Sequence, residues 1–156
     1  MPTALDPCQL VRQAEASSLA GVSFGPGAES TAGKTKLCTY GGQTTNVFTV
    51  EVAQAADASQ AAAAFTQEEA QVKADVQQKL PTGANANLAT SDITGLADKA
   101  ATVSGTATFS GQTIGISGIY LLKGATFFAF QDLRLGNPPS AAALQAEATT
   151  ALGRIG

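Results

Sequence analysis

The chain has 156 residues, a formal net charge of −3 and 13% charged side chains, with no histidine. That length fits one domain with a sizeable core, and the missing imidazole excludes His-based triads, His zinc sites and a His acid or base near neutral pH. Nine Lys and Arg, scattered singly among twelve Asp and Glu, argue against a nucleic-acid partner, which needs clustered basic residues.

Hydrophobic residues make up 44% of the chain, much of it Ala, and small polar residues take the place of the missing charge. This balance suits a secreted or cell-surface domain, because a disordered chain carries fewer apolar residues and more net charge. No run approaches the roughly twenty apolar residues of a membrane span. Met1-Pro2-Thr3-Ala4-Leu5 lacks the basic start and apolar core of a signal peptide, so residues 1–5 are expected to be a flexible remnant on a single domain over 1–156.

Asp6 can cap a first helix, with Pro7 in its first turn, where the missing N–H costs nothing. Leu10, Val11, Ala14, Ser18 and Leu19 recur at helical spacing, and Gly21 supplies the stop. Val22-Ser23-Phe24 is expected as a short strand, followed by a polar loop from Gly25 to Gly33. Lys36 to Tyr40 reads as a strand with a turn at Gly41-Gly42. Asn46 to Val52 alternates, with Phe48, Val50 and Val52 on one face and Val47, Thr49 and Glu51 on the other.

The longest helix comes next. Asp57 and Gln60 form a capping pair, Ala61, Phe65, Val72, Val76 and Leu80 form one apolar stripe, and Gln67, Glu68, Gln71, Lys73, Asp75 and Gln78 lie largely on other faces. Pro81 ends it. Thr82 to Thr94 reads as a polar connection, and Gly95 to Ala100 as a tight entry into further sheet. Ala101 to Phe109, Gln112 to Leu122 and Ala125 to Leu133 are expected as a three-strand meander, turning at Ser110-Gly111 and Lys123-Gly124. Pro138-Pro139-Ser140 introduces a last helix with Leu144, Ala148, Ala151, Leu152 and Ile155 on its apolar face. The order α-β-β-α-β-β-β-α predicts an α+β domain: an antiparallel sheet of about five to six strands with three helices packed on it.

Cys8 and Cys38 are the only two thiols. They read best as one disulfide, which places maturation in an oxidising compartment; the alternative is two buried free thiols. A bond closing that loop stabilises the fold by roughly 3–4 kcal/mol in the chain-entropy model. A two-Cys metal centre lacks His partners and short ligand spacing, so no metal site is expected.

Ala28-Glu29-Ser30-Thr31-Ala32-Gly33-Lys34-Thr35 mimics a relaxed phosphate loop. A true one runs straight into a helix whose N-terminal N–H groups hold the phosphate. Here a strand follows, and Glu29 would repel the anion, so an exposed flexible loop is expected. Glu68 and Glu69 point about 100° apart on a helix and do not converge on one atom. Asp92, Asp98 and Asp132 lie near strand ends, but their spacing predicts no convergence. No serine sits in a nucleophile motif.

Phe128 and Phe130 share one sheet face and Phe127 takes the other. One face is core beneath the helices. If the opposite face is open, Tyr40, Tyr120 and Phe127 are the candidate ligand-facing side chains.

The stretch Asp6-Pro7-Cys8 to Gly21, the strand Cys38-Thr39-Tyr40 and the turn Gly95-Leu96-Ala97-Asp98-Lys99-Ala100 resemble, in order, three landmarks of a broad group of bacterial, mainly actinobacterial, secreted lipoprotein domains of unknown function. These domains look like extracellular sensor domains of membrane kinases and PsbP-like lipoproteins. The resemblance implies a helix-decorated antiparallel sheet, a disulfide between Cys8 and Cys38 and export to the cell envelope, and it carries no catalytic residues. The sequence therefore predicts a secreted or envelope-associated binding module without cofactor or catalysis. Its expected partner is a small apolar or cell-wall-derived ligand, or an envelope protein. A structural accessory role and, further off, a hydrolase are the alternatives.

Overall fold

A computed structural model describes residues 5–41, 46–80, 82–136 and 139–155, without the side chains of Lys73, Asp75 and Lys79. Residues 1–4 of the remnant expected at 1–5, Gly42 of the expected turn, Pro81 and Pro138 lie outside these residues, while Leu5 packs against the core. Seven strands form one fully antiparallel sheet in the order β1-β2-β3-β7-β6-β5-β4. They are β1 (Ala28–Ala32), β2 (Thr35–Tyr40), β3 (Val47–Gln54), β4 (Asn85–Ile93), β5 (Lys99–Phe109), β6 (Gln112–Lys123) and β7 (Thr126–Leu135). Four helices accompany them among the described residues: α1 (Pro7–Leu10), α2 (Gln13–Ala20), α3 (Ala58–Lys79) and α4 (Ala141–Ile155). The α+β class stands, with one helix and one to two strands more than expected.

The extra helix comes from a break in the first one. Val11 and Arg12 are both extended, so α1 ends after Leu10 and α2 starts afresh. The Glu15 carboxylate accepts the Arg12 N–H at 2.9 Å, satisfying a donor that a helix start otherwise leaves orphaned. Val11, fully buried, is the corner between them. Val22 to Phe24 is not a strand. Its backbone is held by side chains instead: Phe24 N–H donates to Ser17 Oγ at 3.0 Å, and Phe24 O accepts from Gln13 Nε2 at 2.8 Å.

The extra strands are both sheet edges. β1 lies in the expected loop and all its residues are exposed; β4 lies in the expected polar connection and is largely exposed. Neither is given away by a buried stripe. In the β5–β6 hairpin, Ser110 and Gly111 take φ of 49° and 77°, the paired left-handed turn that two-residue hairpins favour. The β6–β7 turn falls one residue later than expected, at Gly124-Ala125, because Lys123 pairs with Thr126.

Strand alternation sorts the core onto two faces. Phe48, Val50 and Val52 of β3, Ile119 and Leu121 of β6 and Phe128 and Phe130 of β7 face α1, α2 and α4. Phe127, Ala129, Leu122 and Ala101 face the N-terminal half of α3, while Ile116, Val103 and Ala107 meet Val72, Val76 and Leu80 of its C-terminal half. The sheet is thus a middle layer between helices. That arrangement corrects the expectation of an open sheet face: the apolar stripe of α3 crosses it and covers its centre.

Candidate functional site

Cys8 and Cys38 are joined in a disulfide, with Cα atoms 5.2 Å apart, tying α1 to β2. Tyr40, two residues on, lies on the same side of the sheet and is fully buried. Its hydroxyl donates to Val11 O at 2.8 Å, and its ring stacks on Phe24 with centroids 6.0 Å apart. Burial is the main cause raising the Tyr40 pKa, with the Asp6 and Glu15 charges adding to it. Phe127 lies on the opposite face, packed edge-on against Phe65 of α3 at 6.3 Å. Tyr120 is half-buried 6.2 Å from Phe127 and opens on a crevice of about 40 Å³ beside Glu68 and Gln131. Such a space has room for a few waters at most.

These three aromatics therefore do not form a common ligand floor. Tyr40 is spent on the helix corner, and Phe127 is covered by α3. The physical reason is the sealing of both sheet faces, which the aromatic positions alone did not reveal.

The phosphate-loop mimic is a hairpin rather than a flexible loop: Ala28–Ala32 forms β1, Gly33-Lys34 is the turn and Thr35 opens β2. A strand and not a helix N-terminus follows it, so the converging N–H donors and the helix dipole of a phosphate loop are not supplied here. Asp6, Cys8 and Glu29 bring potential metal-ligand atoms within 4.8 Å of one another. The Cys8 sulfur is in the disulfide and the Asp6 carboxylate accepts the Cys8 N–H at 2.8 Å, so the group lacks the thiolate that would bind a soft ion.

A larger cleft of about 370 Å³ opens between α3 and the β4–β5 connection. Phe65 and Glu69 line it from α3, Asp92 and Ile93 from the end of β4, Asp98 from the connection and Lys99 from the start of β5. Its rim is held in place. Asp98 N–H donates to Leu122 O at 3.0 Å, and the Asp98 carboxylate accepts the Gly124 N–H at 2.7 Å, locking the connection onto the β6–β7 turn. Gly95, at φ 81°, makes the tight bend that lets the chain return.

Within this cleft the Glu69 carboxyl lies within hydrogen-bonding reach of that of Asp92. This contact, then burial and the Asp92 charge, raise the Glu69 pKa, while Lys99 opposes the rise. The cleft thus offers an apolar ring, two neighbouring carboxyls and one ammonium group. It can seat a small molecule with an apolar body and polar edges.

The structure brings Asp92 and Asp98 to one cleft and sets Asp132 on the other face, among the residues beneath α2 and α4. Glu69 and Glu68 open on different spaces, as their angular offset requires. Phe65 and Ile93 are cleft residues that the sequence did not mark, and Glu69, set aside with Glu68 as a solvated face, lines the cleft. Phe65 was counted within the stripe of α3, and only the tight turn at Gly95 to Ala100 signalled that the chain doubles back here.

No protein-family model matches the chain, and no curated protein matches it. The Asp-Pro-Cys to Cys-x-Tyr pattern thus stands on its residues alone. Among solved structures, the chain is similar in fold to the extracellular domain of PknH from Mycobacterium tuberculosis, with a TM-score of 0.59 and 11% identity. The match covers 99% of this chain and 98% of that one, so the likeness extends over the whole layered arrangement.

Proposed function

We propose that the chain is an exported, non-catalytic binding module that seats a small ligand in the cleft between α3 and the β4–β5 connection. The observation that carries this reading is the cleft itself. Its volume of about 370 Å³ lies within the range of small-molecule sites, and its rim is fixed by the bonds of Asp98. The disulfide supports an oxidising compartment. So does the likeness to a domain that is itself extracellular in a mycobacterial kinase. Among the described residues no helix is long and apolar enough to cross a membrane. The ligand fits the chemistry of a small apolar or cell-wall-derived molecule, with Phe65 and Ile93 against its body and the carboxyls at its edge.

The test is native mass spectrometry of unreduced protein recovered from an oxidising compartment, beside an Ile93→Trp variant that fills the mouth of the cleft. Retention of a small molecule by the wild type and its loss from a folded variant is the expected result. Equal retention by both moves the site elsewhere. A bare protein whose amides at 92–100 ignore apolar and glycan fragments removes the support for a ligand.

A second reading, docking to an envelope protein, is favoured by one feature. β1 is an edge strand exposed along its whole length, with backbone groups on its outer side that another strand could pair.

A further inference from the structure

α2 is an eight-residue helix clamped at both ends by arginines from other elements. At its C-terminus Arg134 of β7 donates from Nη1 to Ala20 O. At its N-terminus Arg154 of α4 donates from Nη1 to Glu15 Oε2 at 2.7 Å and to Leu10 O at 2.6 Å, while Nη2 holds Glu15 Oε1. So short a helix has little stability of its own. Only Ala16 and Ala20 of it are fully buried, so the two arginines hold it down.

Beside each arginine stands a further carboxyl with at least one buried oxygen that lacks a donor. Asp132 is fully buried, its two oxygens have no hydrogen-bond partner, and it lies 3.8 Å from Arg134 Nε. Glu147 of α4 has a buried Oε1 without a partner, and its carboxyl lies within hydrogen-bonding reach of Glu15. Two carboxyls in contact either share a proton or repel. A buried carboxyl with no donor is tolerated in its neutral form.

We propose that α2 is a pH-responsive element, seated while Asp132 and Glu147 are protonated and loosened when they ionise. Ionised Asp132 pulls on the Arg134 guanidinium, whose Nε is already 3.8 Å away, in competition with the Nη1 bond to Ala20 O. Ionised Glu147 competes with Glu15 for Arg154 and repels Glu15 directly.

The facing groups set where this occurs. Glu147 meets Glu15 from α2 and Arg154 from its own helix, and Glu15 in turn faces the Arg12 N–H and the Tyr40 hydroxyl of β2. Asp132 meets Arg134, with Ser117 of β6 and Phe48 of β3 as its register neighbours. Burial pushes Asp132 up to about 6, against the weaker pull of Arg134. Burial and Glu15 push Glu147 up to about 7, while Arg154 holds Glu15 down at about 2. Glu15 and Glu147 titrate as a pair, one proton leaving in acid and the other near neutrality. Both Asp132 and Glu147 are raised above their ordinary values, so the seating they support is complete in mild acid and lost as pH rises through their folded pKa values.

The test is amide hydrogen exchange at about pH 5.5 and about pH 8, corrected for intrinsic rates, on the unreduced chain. The Ala16 and Gly21 amides, bonded to Arg12 O and Ser17 O, report the two ends of α2. Their protection should fall roughly tenfold relative to amides of the β6–β7 pair, the change that one unit of differential pKa produces. Glu147→Gln should abolish the fall at Ala16, and Asp132→Asn the fall at Gly21. Carboxyl NMR titration of the wild type should find Asp132 and Glu147 titrating well above ordinary carboxyls, and this decides the matter even if Asp132→Asn does not fold. Protection that changes equally in α2 and the sheet, a full fall retained in folded variants, or ordinary carboxyl titration of both groups would overturn the proposal.

Discussion

The hydroxyl of Tyr40 donates a 2.8 Å hydrogen bond to the carbonyl of Val11. One side chain on β2 thereby fixes the corner at which α1 ends and α2 begins. Tyr40 is fully buried, so its loss strands a carbonyl that water does not reach freely. Tyr40→Phe should lower stability by about 1–2 kcal/mol, read from urea unfolding of the unreduced protein. A variant as stable as the wild type would mean that Val11 O finds another donor.

The disulfide lies beside that bond, since the Tyr40 hydroxyl also lies 3.4 Å from Cys8 O. A Cys8→Ala, Cys38→Ala double variant is expected to lose about 3–4 kcal/mol, and reductant should bring the wild type to nearly the same unfolding midpoint. Gly27 sits against this bond: a Cβ there would run into Cys38 Sγ, Cys8 Sγ and the Tyr40 ring. Gly27→Ala should therefore cost about 1–3 kcal/mol. Gly25→Ala, with open space around it, is the control and should change little.

Stability should peak in mild acid. Asp132, pushed up to about 6 by burial, prefers its neutral form in the fold. Its penalty is absent below the ordinary carboxyl range and grows as pH rises through 6. Asp132→Asn is thus expected to stabilise the protein by on the order of 2 kcal/mol near pH 8 and to be neutral near pH 4. Glu15, held at about 2 by Arg154, has the opposite sign: its contribution is present above its ordinary pKa and lost as pH falls toward 2. Denaturant midpoints measured across pH would show both limbs. A wild type whose stability does not fall between about pH 4 and 7 contradicts the assignment to Asp132.

Gly105 of β5 faces Leu88 of β4, and a Cβ there would strike the Asn87 carbonyl. Gly105→Ala should push the β4 edge off the sheet. Accelerated exchange of β4 amides is the expected readout, with the β3–β7 pairing intact; on the proposed reading of the cleft, a small molecule held at Asp92 and Ile93 is lost as well.

Where a residue is buried on one side, its period was visible in the sequence. Phe48, Val50 and Val52 gave β3, the stripe from Ala61 to Leu80 gave α3, and Ser110-Gly111 gave the hairpin between β5 and β6. β1 and β4 were not legible because edge strands exposed on their sides are held by backbone pairing, which leaves no apolar alternation. The split of the first helix was hidden for a related reason: Val11 continues the helical spacing of buried residues but takes an extended backbone. The Cys8–Cys38 bond was readable because the chain has no other thiol to confuse the pairing. The cleft was not, since Phe65 and Ile93 meet only after α3 has crossed the sheet. The role of Tyr40 was equally hidden, because its partner is a main-chain carbonyl.

β3 pairs with β7 and not with β4, so the sheet consists of two antiparallel runs of neighbouring strands sewn along one central seam. Within each run the pairings are local in sequence and can form early. The seam must wait until α3 and three further strands have been made, a long loop whose closure is slow. During refolding, β3 and β7 would therefore stand open together as two apolar edges, Val50 and Val52 beside Phe128 and Phe130. Self-association of the chain is expected to be greatest in that interval and to end when the seam closes.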